Sequence, residues 1–176
     1  MKRVVISGLI CMAILLELLT FACCGVKNAR LQVALTDYAA VLESNGLDGL
    51  RLSVYYIDPS ILTRFPLTEE RLLSFESVQR FEVDNAQLLQ NIELLKTINA
   101  EEMTPVSNAS VLDARLCCIF ESDRAGQVLR LTLGGKDNSI FVNGVEVENF
   151  ELLRDLLVAF VSEETMRVLV RYFDKE

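Results

Sequence analysis

Residues 111–121 alternate between two kinds of side chain, and this alternation restricts the fold more than any other stretch. One set is apolar and comprises Leu112, Ala114, Leu116, Cys118 and Phe120. The other set is mixed and comprises Asp113, Arg115, Cys117, Ile119 and Glu121. Successive side chains of a strand point to opposite faces, so the pattern predicts a strand with one face in a core. Val128–Leu133 follows the turn at residues 122–126 and predicts the antiparallel partner.

The rest of the chain contains both strand and helix patterns. Further strands are predicted over Leu50–Ile57, Ser77–Val83, Ser139–Val142 and Val145–Val147. Helices are predicted over Asn28–Ser44, over Glu69–Phe75 after a Thr68 cap, from an Asp84 cap to Ile98 or Asn99, and from an Asn149 cap to Phe160. Residues 163–173 fit either a helix or a strand, and Ser162-Glu163-Glu164 favours a helix. We therefore predict an α+β fold: an antiparallel sheet of four to five strands, a meander with an Asn143-Gly144 hairpin, and amphipathic helices packed on one face.

The first 26 residues predict a signal peptide or membrane anchor, and residues 27–176 a single extracytoplasmic domain. Lys2 and Arg3 precede an uncharged apolar run, as in secretory signals. Small residues before Cys23 resemble the bacterial lipobox, which makes Cys23 the expected lipidation site and Cys24 the alternative. Thr20 and Phe21 depart from that pattern. An uncleaved anchor and free secretion stay open, although Glu17 costs an anchor about 2–3 kcal/mol near the bilayer centre.

Charge and composition exclude several classes of function. Without Lys2, Arg3 and Glu17 the chain has 15 Lys and Arg against 24 Asp and Glu, so nucleic acid is not an expected partner. The chain has no histidine, which removes the usual serine and cysteine nucleophile systems and every zinc site that uses histidine. We expect no cofactor, no metal and no catalytic residue of a familiar kind.

Several residues remain as candidates for recognition or chemistry. Cys117 lies beside Arg115 on the mixed face, where an exposed thiol would have a lowered pKa, but a structural role is favoured because no base or resolving cysteine is evident. Tyr55 and Arg115 mark a face or edge that could contact a partner, and Phe65 and Phe141 could add aromatic surface. The acidic pairs Glu69-Glu70, Glu101-Glu102 and Glu163-Glu164 are better explained as solvated helix starts and loops.

Three segments carry a family resemblance: Tyr56–Thr63, Phe65–Thr68 and Ser139–Val147. They resemble an uncharacterised family of small exported proteins and lipoproteins of Gram-positive bacteria, and the likeness extends over most of the chain after Val26. The resemblance implies the same architecture and no catalytic residues. The leading hypothesis is a membrane-tethered extracytoplasmic module that binds a protein, peptide or wall component. The alternatives are an exported enzyme that uses carboxylates or Cys117, and a structural subunit of an envelope assembly.

Overall fold

The computed structural model describes residues 29–43, 49–107, 109–134, 139–148 and 150–172. The predicted signal or anchor, its lipidation sites Cys23 and Cys24, and the Asn149 cap lie outside the described residues. The helices are α1 over residues 29–43, α2 Glu69–Leu73, α3 Asn85–Gln90, α4 Ile92–Lys96, α5 Phe150–Phe160 and α6 Glu163–Leu169, with a 3-10 turn at Val170–Tyr172. The strands are β1 Leu50–Tyr56, β2 Gln79–Val83, β3 Ala114–Ser122, β4 Gly126–Gly134, β5 Ile140–Val142 and β6 Val145–Val147.

All six strands form one antiparallel sheet in the order β2-β1-β3-β4-β5-β6. The α+β class is confirmed, whereas the expected count of four to five strands was too low. The short strands β2, β5 and β6 all pair with neighbouring strands and so belong to the sheet. Asn143 and Gly144 join β5 to β6, and both residues have positive φ angles, 47° and 79°.

Most helices cover one side of the sheet, which we call the helical face. Here β1, β3 and β4 present Leu52, Phe120 and Leu131, and the helices add Leu35 and Leu157. Tyr38 of α1 packs edge-on against Phe120, with ring centroids 5.4 Å apart. Burial of many such side chains at about 25 cal/mol per Å² makes this layer the main source of stability.

The opposite side, which we call the loop face, has its own smaller core. Ile57, Leu67 and Leu72 pack here against Cys117 and Ile119. Leu72 belongs to α2, so the expectation of helices on one face only was wrong. On this face β3 presents Cys117 and Ile119, whose side chains supply enough apolar surface for a second layer to cover.

Two local predictions have different outcomes. The helix expected from Asp84 to Ile98 or Asn99 is divided at Asn91, whose φ and ψ of −113° and 24° end α3. Its side-chain amide donates to Gln87 O at 2.9 Å, which competes with continued helix. The helix over 163–169 is confirmed, and Ser162 caps it by accepting a hydrogen bond from Thr165 N–H.

Candidate interaction surface

The strand register aligns the predicted recognition residues across the loop face. Tyr55 of β1 lies opposite Cys117 of β3, and Cys117 lies opposite Thr132 of β4. The strand register shifts between Ala114 and Leu116, so the predicted alternation is wrong at this end: Leu112 and Ala114 belong to the loop-face core and not to the face of Leu116. Arg115 lies on the same side as Cys117 because its side chain contacts Ile61 and Thr63 of the loop above that face. Residues 57–78, which we call the cover segment, lie over this row and include α2. The predicted residues do share one face, but that face is not an open surface.

Cys117 is fully buried beneath the cover segment. Its Sγ lies 3.6 Å from Thr132 Oγ1. Burial raises the pKa of the Cys117 thiol to about 11, and the nearby carboxylate of Glu69 acts in the same direction. Cys117 is therefore not the exposed, acidified thiol that the enzymatic alternative requires. Cys118 points to the helical face and is also buried, as the alternation predicts.

Arg115 supports a loop instead of contacting solvent. Its side chain is 13 % exposed and donates to Asp113 Oδ2 from Nη2 at 2.6 Å and from Nε at 3.1 Å. The same guanidinium donates to Ile61 O at 3.2 Å and to Thr63 Oγ1 at 2.8 Å. Asp113 Oδ1 in turn accepts the Leu67 N–H at 2.9 Å. Arg115 and Asp113 together thus tie residues 61–67 to the start of β3.

A polar cluster around Glu69 anchors α2 to the sheet. Glu69 Oε2 accepts from Arg130 Nη1 at 2.8 Å, and Glu69 Oε1 accepts from Thr132 Oγ1 at 2.5 Å. Arg130 Nη2 also donates to Gln127 Oε1 at 2.6 Å. Burial opposes the charge of Arg130, but the hydrogen bond and charge of Glu69 raise the pKa of Arg130 overall. Glu69 was therefore wrongly interpreted as a solvated residue, whereas its neighbour Glu70 is exposed.

Apolar side chains project from the supported loop and from the segment that precedes β3. Leu62 is 93 % exposed, Phe65 is 63 % exposed, and Val111 is 83 % exposed. We call these three residues the apolar tips. Arg64 lies over the Phe65 ring, 5.6 Å from its centroid. Phe65 thus lies on the surface as expected, whereas Phe141 is buried in β5.

The described part of the chain offers little to a metal ion or a small molecule. No group of three or more Cys, Asp or Glu side chains among those residues could hold a metal. A cavity of about 580 Å³ lies between α1 and the end of α4. Leu42 and Ile98 line it beside Glu43 and Lys96, so its lining combines aliphatic groups with one charge of each sign.

The architecture and the surface define a class: an α+β protein with an open, six-stranded antiparallel sheet that displays apolar residues on a braced loop. No family model, curated protein or solved structure matches the chain. Within the described ranges, none of the helices combines the length and the apolar character that crossing a bilayer requires.

Proposed function

We propose that the protein is a membrane-tethered extracytoplasmic module that binds a protein or peptide through the apolar tips. The single observation that carries the proposal is the exposure of Leu62 and Phe65 on a loop held by Arg115. Residues 1–26, with a basic start and an apolar run, supply the tether. Acylation at Cys23 is the proposed attachment, with Cys24 as the alternative acceptor.

Rigid support makes the apolar tips suitable for recognition. A loop that is already ordered loses little conformational entropy when a partner binds, so more of the contact energy appears as affinity. Arg115 provides that order through two hydrogen bonds to the loop, at Ile61 O and Thr63 Oγ1, and Asp113 adds a third by accepting from Leu67 N–H. Aromatic and aliphatic anchors that fill a partner's pockets contribute most of the energy in protein interfaces. Phe65, with Arg64 over its ring, has the character of such an anchor.

The fold favours a protein partner over the membrane for the apolar tips. The N-terminal segment joins the domain at Ala29, where α1 begins beside Gln127 and Asn143 on a cleft of about 520 Å³. The buried residues of α1 pack on the helical face, whereas Arg115 holds the loop on the loop face. The start of α1 and the apolar tips at Leu62 and Phe65 therefore lie on opposite sides of the sheet. The acidic domain is also repelled by anionic lipids.

Intact mass spectrometry of the chain extracted from membranes tests the tether. The expected mass lacks residues 1–22 and includes acyl chains on the new N-terminal Cys23. A membrane-bound chain of unprocessed mass supports the tether in its uncleaved form. A chain recovered from the cytosol with Met1 in place would refute the proposal.

Site-specific photo-crosslinking in intact cells tests the binding surface. A photoreactive residue at position 62 or 65 is expected to yield one discrete protein adduct, which Phe65→Ser removes from the position-62 reporter. Val158 of α5 is 60 % exposed and is the matched control position, expected to give no such adduct. Crosslinks to lipid alone, or identical adducts at all three positions, would contradict a specific protein partner.

The enzymatic alternative loses support at Cys117. A nucleophilic thiol needs a thiolate and access to substrate, and Cys117 is buried with a raised pKa. Asp113 and Glu69 are engaged with Arg115 and Arg130. Alkylation of the folded protein tests this point, because a Cys117 that reacts as fast as a free thiol would restore the alternative.

A further inference from the structure

The two edges of the sheet differ in how they are protected. At the β6 edge, Val106 N–H donates to Glu146 O and Glu148 N–H donates to Thr104 O, and Pro105 forms an isolated bridge with Val147. At the other edge, β2 pairs only with β1 among the described strands. Gln79, Arg80 and Glu82 of β2 are exposed. A strand with an unpaired edge is a template for another strand.

The sequence of β2 is complementary to itself in one antiparallel register. A two-fold axis perpendicular to the sheet relates the two copies without exchanging the two faces of the sheet. Residues opposite each other must lie on the same face, so the axis has to pass between one residue and the same residue of the second copy. Centring on Phe81 puts Arg80 opposite Glu82 of the second copy, and Glu82 opposite its Arg80. Centring on Arg80 or on Glu82 would instead place identical charges opposite each other, which is destabilising.

The side chains of β2 are already arranged for such pairing. Arg80 Cζ lies 5.2 Å from the centroid of the Tyr55 ring, and Arg80 Nη2 donates to Ser53 Oγ at 3.4 Å. Arg80 also forms an ion pair with Glu82 on the same strand, so the exposed edge is locally neutral. Phe81 points to the helical face, where its ring lies 6.3 Å from that of Tyr56. The edge therefore presents two opposite charges on one face and an aromatic ring on the other.

From this arrangement we propose that two copies of the chain associate through β2 and form a continuous twelve-stranded antiparallel sheet. The contact is isologous, with Phe81 facing its own copy and two Arg80–Glu82 pairs across the two-fold axis. The helical faces of both copies lie on the same side of the joined sheet. Both N-terminal segments can therefore enter one bilayer, a consequence that rests on the proposed function, whereas the pairing itself does not.

Charge exchange tests the pairing with the full chain, purified in a mild detergent and followed by light scattering and sedimentation. Wild type is expected to dimerise as concentration rises. Arg80→Glu and Glu82→Arg each replace two attractive cross-strand pairs with two repulsive ones and should weaken the dimer about tenfold or more. The double variant R80E/E82R restores both pairs and is expected to dimerise within about threefold of wild type.

Mixing provides the decisive measurement. R80E carries only acidic residues at these two positions and E82R only basic ones, so an equimolar mixture is expected to form heterodimers that neither variant forms alone. Arg154→Glu on α5 changes the net charge by the same amount as R80E and should leave the association unchanged. Circular dichroism melts confirm that each variant folds.

Three results would overturn the proposal. The first is a wild type that stays monomeric over the whole accessible concentration range. The second is equal association of every variant, which would assign the contact to another part of the chain, such as residues 1–26. The third is a mixture of R80E and E82R that fails to associate, which would exclude the register centred on Phe81.

Discussion

Replacing Glu69 with alanine tests whether the polar cluster holds the cover segment on the sheet. The change removes the acceptor for Arg130 Nη1 at 2.8 Å and for Thr132 Oγ1 at 2.5 Å. Arg130 Nε is already buried without a hydrogen-bond partner among the described residues, so the variant leaves its guanidinium poorly satisfied. Thr132 is completely buried and would lose the carboxylate that accepts its hydroxyl proton, keeping only the weak acceptor Cys117 Sγ at 3.6 Å.

The expected loss of stability follows from the burial of the pair. Removing one partner of a fully buried ion pair costs about 3–5 kcal/mol. The Arg130 and Glu69 side chains are 18 % and 13 % exposed, so water can replace part of the lost interaction. We therefore expect Glu69→Ala to lower the free energy of unfolding by about 2–3 kcal/mol. For a domain of this size that corresponds to a decrease in Tm of about 4–12 °C.

Thermal and urea unfolding measure the change, and alkylation of Cys117 reports how often the cover segment opens. We expect faster modification of Cys117 in the Glu69→Ala variant, because α2 lies over that thiol. Glu70→Ala is the matched control. Glu70 is the next residue of α2 and is exposed, so its removal should lower the stability much less than Glu69→Ala does.

A double variant separates the ion pair from other effects of the substitution. Arg130→Met in the Glu69→Ala background removes the charge that was left without its partner and should recover part of the lost stability. If Glu69→Ala and Glu70→Ala destabilise equally, or if Cys117 stays unreactive in both, the cluster does not hold the cover segment. Either result would refute the role we assign to Glu69.

Two further predictions concern the loop and the buried thiol. Arg115→Lys keeps the charge but removes the planar guanidinium, so we expect the free energy of unfolding to fall by about 1–3 kcal/mol and trypsin to cleave faster after Arg64. An unchanged cleavage rate would show that Arg115 does not hold the loop in place. Burial raises the pKa of Cys117 from 9.0 to about 11, so the thiol ionises at lower pH in the unfolded chain than in the folded one. The contribution of this thiol to the free energy of unfolding is therefore fully present below pH 9 and is lost as the pH rises towards 11. The loss of stability attributable to this thiol is about 2–3 kcal/mol. Urea unfolding at a series of alkaline pH values should show that the stability of Cys117→Ala falls less steeply with pH than that of the wild type, with a remaining slope from the raised pKa values of Tyr38 and Cys118. Equal slopes for the two proteins would contradict the assignment.

The sequence alone was sufficient for the elements whose cause is local. The alternation of residues 111–121 predicted a strand, and β3 occupies Ala114–Ser122. Caps at Thr68 and Asp84 were predicted from side chains that accept hydrogen bonds two or three residues ahead, and both caps are present. These signals depend on neighbours in the chain, so they can be recognised without knowledge of the tertiary structure.

The candidate surface could be predicted only in part. Alternation correctly placed Cys117 and Ile119 on one face but was wrong for Ala114, because the register shifts between Ala114 and Leu116. Phe65 was correctly kept as a surface aromatic. Alternation alone could not reveal that residues 57–78 return over that face and bury Cys117. Nor could it distinguish Glu69 from Glu70, because adjacent acidic residues at a helix start look alike until the strand beneath them is known.

By itself the sequence determined the strand and helix propensities, the acidic charge, the absence of histidine and the self-complementary order of charges in β2. Only the tertiary structure decided which side chains are covered, which edge of the sheet stays open and which carboxylate meets an arginine. The physical reason is sequence distance. Glu69 binds Arg130 and Thr132 across 61 and 63 residues, and contacts of that range form only when the whole sheet has assembled.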